Sequence, residues 1–295
     1  MKTARIIINP HTGTVKREKR MYEAFRLLSD AGYQTVVYFT RAKGDAERYA
    51  KRWSARTDLL ICSGGDGTLN EVVGGLDQVE EGKRAPLGYI PAGTCNDIAS
   101  SLALPLDPVK AMERILAGKE RKIDVGSFNG RQFLYIASFG AFTEASYSTP
   151  QTAKNALGHL AYVLEGIGSV GEIKPYRAAF DVGGEVIEDD WIFASVSNSR
   201  SIAGIVKLEE SLVDLSDGLF EVTLIRTPKN LQEFLGIVNA IRSKTLKCEA
   251  IRLFHVPKVV FSSERDISWT LDGEFDPGGK KIEIENRPGA LTLVL

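Results

Sequence analysis

The stretch Gly64-Gly65-Asp66-Gly67-Thr68-Leu69-Asn70-Glu71-Val72-Val73-Gly74-Gly75 constrains this chain more than any other. Before it stands Asp58-Leu59-Leu60-Ile61-Cys62, a short apolar run with the character of a buried strand. After it, Thr68 to Val73 reads as the first turns of a helix, with Thr68 as N-cap. The glycines therefore sit between a strand end and a helix start. There, unpaired backbone N–H groups and the positive end of the helix dipole attract anions. The absence of side chains lets phosphate oxygens approach the backbone. Asp66 is out of place beside a phosphate unless a cation lies between them, and Mg2+ is the usual bridge. The stretch points to a nucleoside triphosphate with its metal. The plainer alternative is a tight strand-to-helix turn with Asp66 as a cap.

The residues before and after this loop repeat a strand-helix alternation. Ala4 to Ile8 reads as a first buried strand, ending in the turn-rich Asn9-Pro10-His11-Thr12-Gly13-Thr14. Lys16, Arg17, Lys19 and Arg20 open a helix that continues through Met21, Phe25, Leu27 and Leu28 and stops at Gly32. Tyr33 to Thr40 reads as a strand and Asp45 to Trp53 as a helix. Pro86 to Ile90 reads as another strand, leading into Pro91-Ala92-Gly93-Thr94-Cys95-Asn96-Asp97. Helices follow at Ile98 to Leu102 and Pro108 to Ala117. This order predicts a doubly wound, Rossmann-like parallel sheet with helices on both faces and a ligand at the C-terminal strand ends.

The pattern changes after Lys122-Ile123-Asp124-Val125-Gly126. Short β-rich runs take over: Phe133 to Phe139, Arg177 to Val182, Trp191 to Val196, Leu219 to Ile225, Val256 to Phe261 and Lys281 to Ile284. Helical spacing interrupts them at Ala153 to Ile167 and Leu231 to Ser243. The expected fold is an α/β domain over 1–126 followed by an all-β, antiparallel sandwich over 127–295. The closing run to Leu295 is a further strand, and the sequence leaves open whether 286–295 returns to the first domain.

Composition narrows the function classes. The net charge of −1 over 295 residues gives no sign of a nucleic-acid partner. Cys62, Cys95 and Cys248 lack metal or redox spacing and fit a reduced, cytoplasmic protein. No apolar run approaches the roughly 20 residues needed to cross a bilayer, and the N-terminus lacks the pattern of a signal peptide.

With these motifs in place, the chain resembles the diacylglycerol and sphingosine kinases, and most of all the soluble bacterial diacylglycerol kinases. The resemblance rests on Asn9-Pro10 with Gly13, on Gly64 to Glu71, and on Pro91-Ala92-Gly93-Thr94-Cys95-Asn96-Asp97. Downstream, Asp124-Val125-Gly126, Asp217-Gly218-Leu219-Phe220 and Leu271-Asp272-Gly273-Glu274-Phe275 extend it over almost the whole chain. Gly-Gly-Asp-Gly-Thr alone also occurs in close form in NAD kinases and phosphofructokinases, whereas Pro-x-Gly-Thr-x-Asn-Asp is the lipid-kinase form.

The resemblance implies roles. Asn9, Pro10, His11, Thr12, Gly13, Thr40, Gly65, Asp66, Gly67, Thr68, Leu69, Asn70, Glu71 and Thr94 would cradle ATP. Asp66, Asp97 and Asp124 would belong to the acidic network around a catalytic Mg2+. Glu274 would be the general base toward a lipid hydroxyl, with Asp272 beside it. A second, structural Mg2+ would be held by Asp214, Asp217 and the carbonyl of Leu219. Such a site would join carboxylates of both domains in one cleft. The first loop departs from the family pattern, with Thr12 where Ser is common and Thr14 where a basic residue often follows the glycine.

Each residue also has a plainer reading. Asp97 is a natural cap for a helix beginning at Ile98, and Asp124 a turn stabiliser at the domain junction. Asp272-Gly273 is an excellent hairpin turn, and the basic residues from Lys16 to Arg20 form a solvated helix face or an attraction for phosphates and anionic lipid. The functional expectation is an ATP-dependent lipid kinase, acting on diacylglycerol or on another lipid such as phosphatidylglycerol or a sphingoid base. It would work at the cytoplasmic face of an anionic membrane, and a homodimer is compatible with the chain. The alternatives are an NAD kinase and a non-catalytic nucleotide-binding protein.

Overall fold

The computed structural model describes residues 1–12, 15–94, 96–140, 175–198, 201–202, 206–207, 215–243 and 245–295. The expected helix over Ala153–Ile167, and Gly13, Cys95 and Asp214, lie outside the described residues. The chain forms two compact units, Met1–Ile123 with Gly289–Leu295, and Asp124–Pro288.

The first unit is the expected α/β layer structure. Its elements are β1 (Lys2–Ile8), α1 (Val15–Asp30), β2 (Tyr33–Phe39), α2 (Asp45–Trp53), β3 (Leu59–Gly64), α3 (Asp66–Asp77), β4 (Leu87–Pro91), α4 (Asp97–Ser101) and α5 (Pro108–Ala117). The strands pair in parallel in the order β2-β1-β3-β4, with Ile6 opposite both Val37 and Ile61, and Ser63 opposite Ile90. β3 and β4 are buried along their whole length, as apolar strands covered on both faces must be. One face packs Ile6, Leu28, Ile61, Ile90, Met112 and Ile115 into a core with α1 and α5. On α3, a Cβ at Gly75 would lie 2.2 Å from the carbonyl oxygen of Glu47 in α2, so glycine there lets the two helices touch. The question of the closing strand is answered in the chain's path: Leu293 and Val294 pair in parallel with Leu87 and Gly88 of β4.

The second unit is antiparallel. It contains β6 (Arg131–Phe133), β7 (Ile136–Gly140), β8 (Tyr176–Val182), β9 (Glu185–Ser197), β12 (Phe220–Arg226), α6 (Leu231–Arg242), β13 (Ile251–Val256) and β14 (Lys258–Leu271). The short pair Ser201–Ile202 and Val206–Lys207 provides β10 and β11. β5 (Glu120–Phe128) and β15 (Glu274–Val294) are the strands by which the chain passes between the units. The ladder runs β13-β12-β9-β7-β14-β15, and β8 pairs with β9 and β14. Its core is aromatic: the Phe139 ring lies 4.8 Å from that of Trp269 and 5.6 Å from that of Phe261. α6 covers Phe193, Ile225 and Ile251 with Phe234, Ile237 and Ile241.

Three local expectations are corrected. The run Phe133–Phe139 is two strands, because the Asp272 carboxylate takes the N–H groups of Leu134, Tyr135 and Ile136. The N-cap of α3 is Gly65, in extended conformation, and Thr68 lies inside the helix. The N-cap of α4 is Asn96, with φ 53°, so Asp97 is the first helical residue and not the cap.

Candidate active site

The strand order β2-β1-β3-β4 reverses direction of growth between β1 and β3, the place where open parallel sheets hold ligands at their C-terminal ends. The loops there are fastened to one another. Asn9 donates its N–H to the Ser63 carbonyl at 2.9 Å and its side-chain amide to Thr68 Oγ1 at 3.1 Å. Its Oδ1 accepts the His11 N–H at 3.0 Å, and its carbonyl accepts the Thr12 hydroxyl at 2.9 Å. One asparagine thus shapes the loop after β1 and ties it to α3, while Pro10 and His11 stay exposed. Thr40 is buried at the end of β2, its N–H on the Ile8 carbonyl at 2.9 Å.

The glycine loops after β3 and β4 meet backbone to backbone. A Cβ built on Gly93 would lie 2.6 Å from Gly65 Cα, and one on Gly65 would lie 3.1 Å from Gly93 Cα. Asn96 fixes the second loop by a reciprocal pair with Gly93, accepting its N–H at 2.8 Å and donating to its carbonyl at 2.7 Å. Sequence reasoning placed Asn96 only inside a motif. Its signal is the residue type: asparagine is among the non-glycine residues that accept positive φ most readily, and Asn96 has φ 53°. Thr94 is exposed on this loop, and Gly67 on the first turn of α3. Leu69 is wholly buried, and its N–H bonds the Gly65 carbonyl at 3.0 Å. Glu71 points to α2, where its oxygens accept from Gly44 at 2.9 Å and Ala46 at 3.2 Å, so it caps a helix that has no side-chain cap of its own. Asn70 is half-buried on the same turn as Glu71.

Asp66 begins α3, and its carboxylate faces the first N–H groups of α4. The contacts are long, 3.3 Å from Asp97 and 3.4 Å from Ile98. Burial pushes the Asp66 carboxyl up from its ordinary pKa, and these N–H groups offset only part of that rise. A cation would stabilise the charged form further. Cys62, buried beneath the loop, is pushed up by burial and by the nearby Glu71 and Asp66 charges, so it stays a thiol.

In the second unit the predicted acids have different surroundings. Asp272 and Gly273 take φ of 49° and 83° at the β14–β15 turn, the mirror-image geometry that suits a two-residue hairpin. The Asp272 carboxylate is engaged on both oxygens, accepting from Leu134 at 2.6 Å and from Tyr135 and Ile136 at 3.0 Å. Glu274, next along, is half exposed and paired with Arg131 at 3.2 Å, which also holds Asp276 at 2.7 Å. Asp124 is fully buried: its Oδ2 accepts the Gly218 N–H at 2.7 Å, its own N–H goes to the Leu215 carbonyl at 2.9 Å, and Asn198 bonds its carbonyl at 2.9 Å. Asp124 therefore grips the turn that carries Asp217.

Asp217 accepts the Leu219 N–H at 2.9 Å, and the Leu219 carbonyl accepts from Asn286 at 3.1 Å. Among the described residues no three His, Cys, Asp or Glu side chains gather as a metal group. The described part of the structural-metal set is thus engaged within the protein, and its third member, Asp214, lies outside the described residues.

Comparison with known proteins accounts for both units. Residues 3–128 match the diacylglycerol kinase catalytic domain, and residues 137–295 match the YegS C-terminal NAD kinase beta sandwich-like domain. A diacylglycerol kinase of Bacillus subtilis (strain 168) is 34% identical over 93% of this chain and 90% of its own. One of Staphylococcus aureus (strain bovine RF122 / ET3-1) is 34% identical over 95% of this chain and 87% of its own. A solved structure from Bacillus anthracis str. Sterne shares the fold, with a TM-score of 0.82 at 22% identity over 99% of this chain and 97% of that one. The glycine contact between the loops after β3 and β4, the antiparallel second unit and these relatives lead to one assignment: the chain belongs to the diacylglycerol kinase catalytic-domain family and is a lipid kinase.

Proposed function

We propose that this enzyme transfers the γ-phosphate of ATP to the hydroxyl of diacylglycerol, giving phosphatidic acid at the cytoplasmic face of the membrane. The observation that carries the donor half is the backbone contact of Gly65 with Gly93, in the loops after β3 and β4. Neither glycine brings a side chain to this contact, which lies beside the start of α3, and phosphate oxygens would meet backbone N–H groups there. Asn9, by fixing the neighbouring loop, would hold Pro10 to Thr12 beside the same phosphates. The acceptor half is supported by the names of the relatives, diacylglycerol kinases at 34% identity.

Mg2+ fits the chemistry of Asp66, a carboxylate with a raised pKa and two long hydrogen bonds. Bound there, the ion would neutralise charge on the transferring phosphoryl group. Asp97, on the neighbouring helix start, would complete the acidic network, and Asp124 would contribute by holding the 215–219 turn. Glu274 would accept the proton of the lipid hydroxyl, with Arg131 orienting its carboxylate until the acceptor arrives.

The test is ATP consumption and product identity with diacylglycerol, phosphatidylglycerol, monoacylglycerol and a sphingoid base in mixed micelles, with NAD, and with no acceptor, each with and without Mg2+. Mg2+-dependent phosphatidic acid is the expected product. Faster turnover of another lipid reassigns the acceptor, phosphorylation of NAD alone restores the dinucleotide reading, and ATP binding without turnover of any acceptor leaves a nucleotide-binding protein.

A further inference from the structure

We infer that four hydroxyl side chains in register across the second unit, Thr270, Ser138, Ser195 and Thr223, form the subsite that receives the ester carbonyls of the lipid acceptor. Thr270 of β14 stands opposite Ser138 of β7, Ser138 opposite Ser195 of β9, and Ser195 opposite Thr223 of β12. Directly opposed residues share a face, so the four side chains form one row across four neighbouring strands, with about 5 Å from strand to strand. All four residues are buried. The other face of the same strands puts Ala194, Val196, Val222 and Leu224 into the aromatic core. Two residues along on the row's own face, Phe193 and Ile225 are apolar and lie under α6. Positions of this kind ordinarily take valine or isoleucine. Hydroxyls there bring polar atoms that need matching, and two go unmatched. Ser195 Oγ and Thr223 Oγ1, on residues 0% and 1% exposed, have no hydrogen-bond partner among the described residues.

An unmatched buried hydroxyl is costly to keep, and a ligand that supplies an acceptor removes that cost on binding. Uncharged hydroxyls flanked by apolar residues suit a neutral molecule that offers acceptors to them and hydrocarbon on either side. The two ester carbonyls of a diacylglycerol have this character, since they accept and cannot donate. A sphingoid base would bring an ammonium group and phosphatidylglycerol a phosphate, and the row holds no opposite charge for either. The row also starts close to the chemistry. Thr270 lies two residues before Asp272, and Ser138 two residues after Ile136, whose carbonyl accepts the Asp272 N–H at 2.9 Å. Two residues of strand span about 7 Å, and Glu274 follows on the same hairpin. The inference rests on the lipid-acceptor reading and narrows it to a glycerol diester.

The test is binding, without ATP, of a short-chain diacylglycerol and of its diether analogue, which keeps the chains and the hydroxyl but has no carbonyls. Equilibrium dialysis gives the ratio of the two dissociation constants, and a fraction of unfolded protein leaves that ratio unchanged. Wild type is expected to prefer the diester about tenfold, the scale of one or two neutral hydrogen bonds. Ser195→Ala with Thr223→Val removes both unmatched hydroxyls and should bring the ratio close to one. Thr223→Ser, which keeps the hydroxyl, should retain the wild-type ratio. If the double variant does not fold, Ser195→Ala and Thr223→Val are read singly, each with about a threefold loss of preference. Equal binding of diester and diether by wild type overturns the inference, as does a preference that survives loss of the hydroxyls. Phosphorylation assays on the same proteins separate this result from the kinase reading. Turnover of diacylglycerol with no hydroxyl-dependent preference leaves the acceptor reading standing and the subsite refuted. A hydroxyl-dependent preference with no phosphorylation of any lipid leaves the subsite standing and refutes the kinase reading.

Discussion

Asp66 and Asp272 are both carboxylates turned toward backbone N–H groups of another segment, one in each unit. Asp272 accepts three short bonds, from Leu134, Tyr135 and Ile136, and both its oxygens are engaged. Asp66 accepts from Asp97 and Ile98 only at 3.3 and 3.4 Å, in surroundings whose burial disfavours its charge. Hydrogen bonds to the charged form stabilise it, and burial without them destabilises it. The hairpin has therefore used its acid to fix the chain, whereas the glycine loop keeps an acid that lacks full compensation. Of the two aspartates beside glycines, Asp66 is the one whose charge the surrounding N–H groups compensate less fully. Glu274 stands between these cases, half exposed and paired with one arginine.

The largest expected effect separates Glu274 from Asp272. Glu274→Gln should lower lipid phosphorylation by on the order of a hundred- to ten-thousand-fold, the range for loss of a general base, with ATP affinity and melting temperature unchanged. A near-normal rate would move the base elsewhere. Next comes Asp66→Asn, which keeps the shape and removes the charge. A fall of about a hundredfold in turnover with the fold intact is expected, as for loss of one positioned electrostatic group. Activity close to wild type would make Asp66 a turn residue and erase its contrast with Asp272. The smallest effect is on stability. Asp272→Asn halves the acceptor capacity facing three N–H groups and should cost about 2 kcal/mol in denaturant unfolding. Its remaining activity should follow the folded fraction. A large loss of turnover without loss of stability would place Asp272 in the chemistry after all.

What the sequence made legible follows from the range of the forces involved. The parallel half could be read because β3 and β4 carry short apolar runs, buried along their whole length, and the glycine, asparagine and threonine loops fall at one end of each strand. The Asp272-Gly273 turn was equally local, since positive φ at both positions favours those residue types. The division between β6 and β7 was not local: it is imposed by a carboxylate 138 residues away from Leu134. Glu71 reads as part of a phosphate loop by its neighbours, yet its oxygens reach back 27 residues to cap α2. Thr68 is a sound cap by composition, and the chain instead places the cap three residues earlier, at Gly65, leaving the Thr68 hydroxyl for Asn9. The amphipathic pattern of α6 gave the helix but could not say which leucines its sheet would cover.

The return of Leu293 and Val294 to the edge of β4 has a consequence for the order in which the protein is made. On the ribosome, residues 1–123 emerge as a nearly complete layered unit whose outer strand still lacks its neighbour. That neighbour arrives only after the whole of Asp124–Pro288 has been synthesised. Until then β4 presents an open row of backbone donors and acceptors, the kind of edge that recruits foreign strands. Such long-range closure is also slow, because its loop entropy is lost before its contacts form. The second unit thus decides when the first becomes complete, and a pause in translation within residues 124–288 would prolong the interval in which a nascent chain is most prone to aggregate.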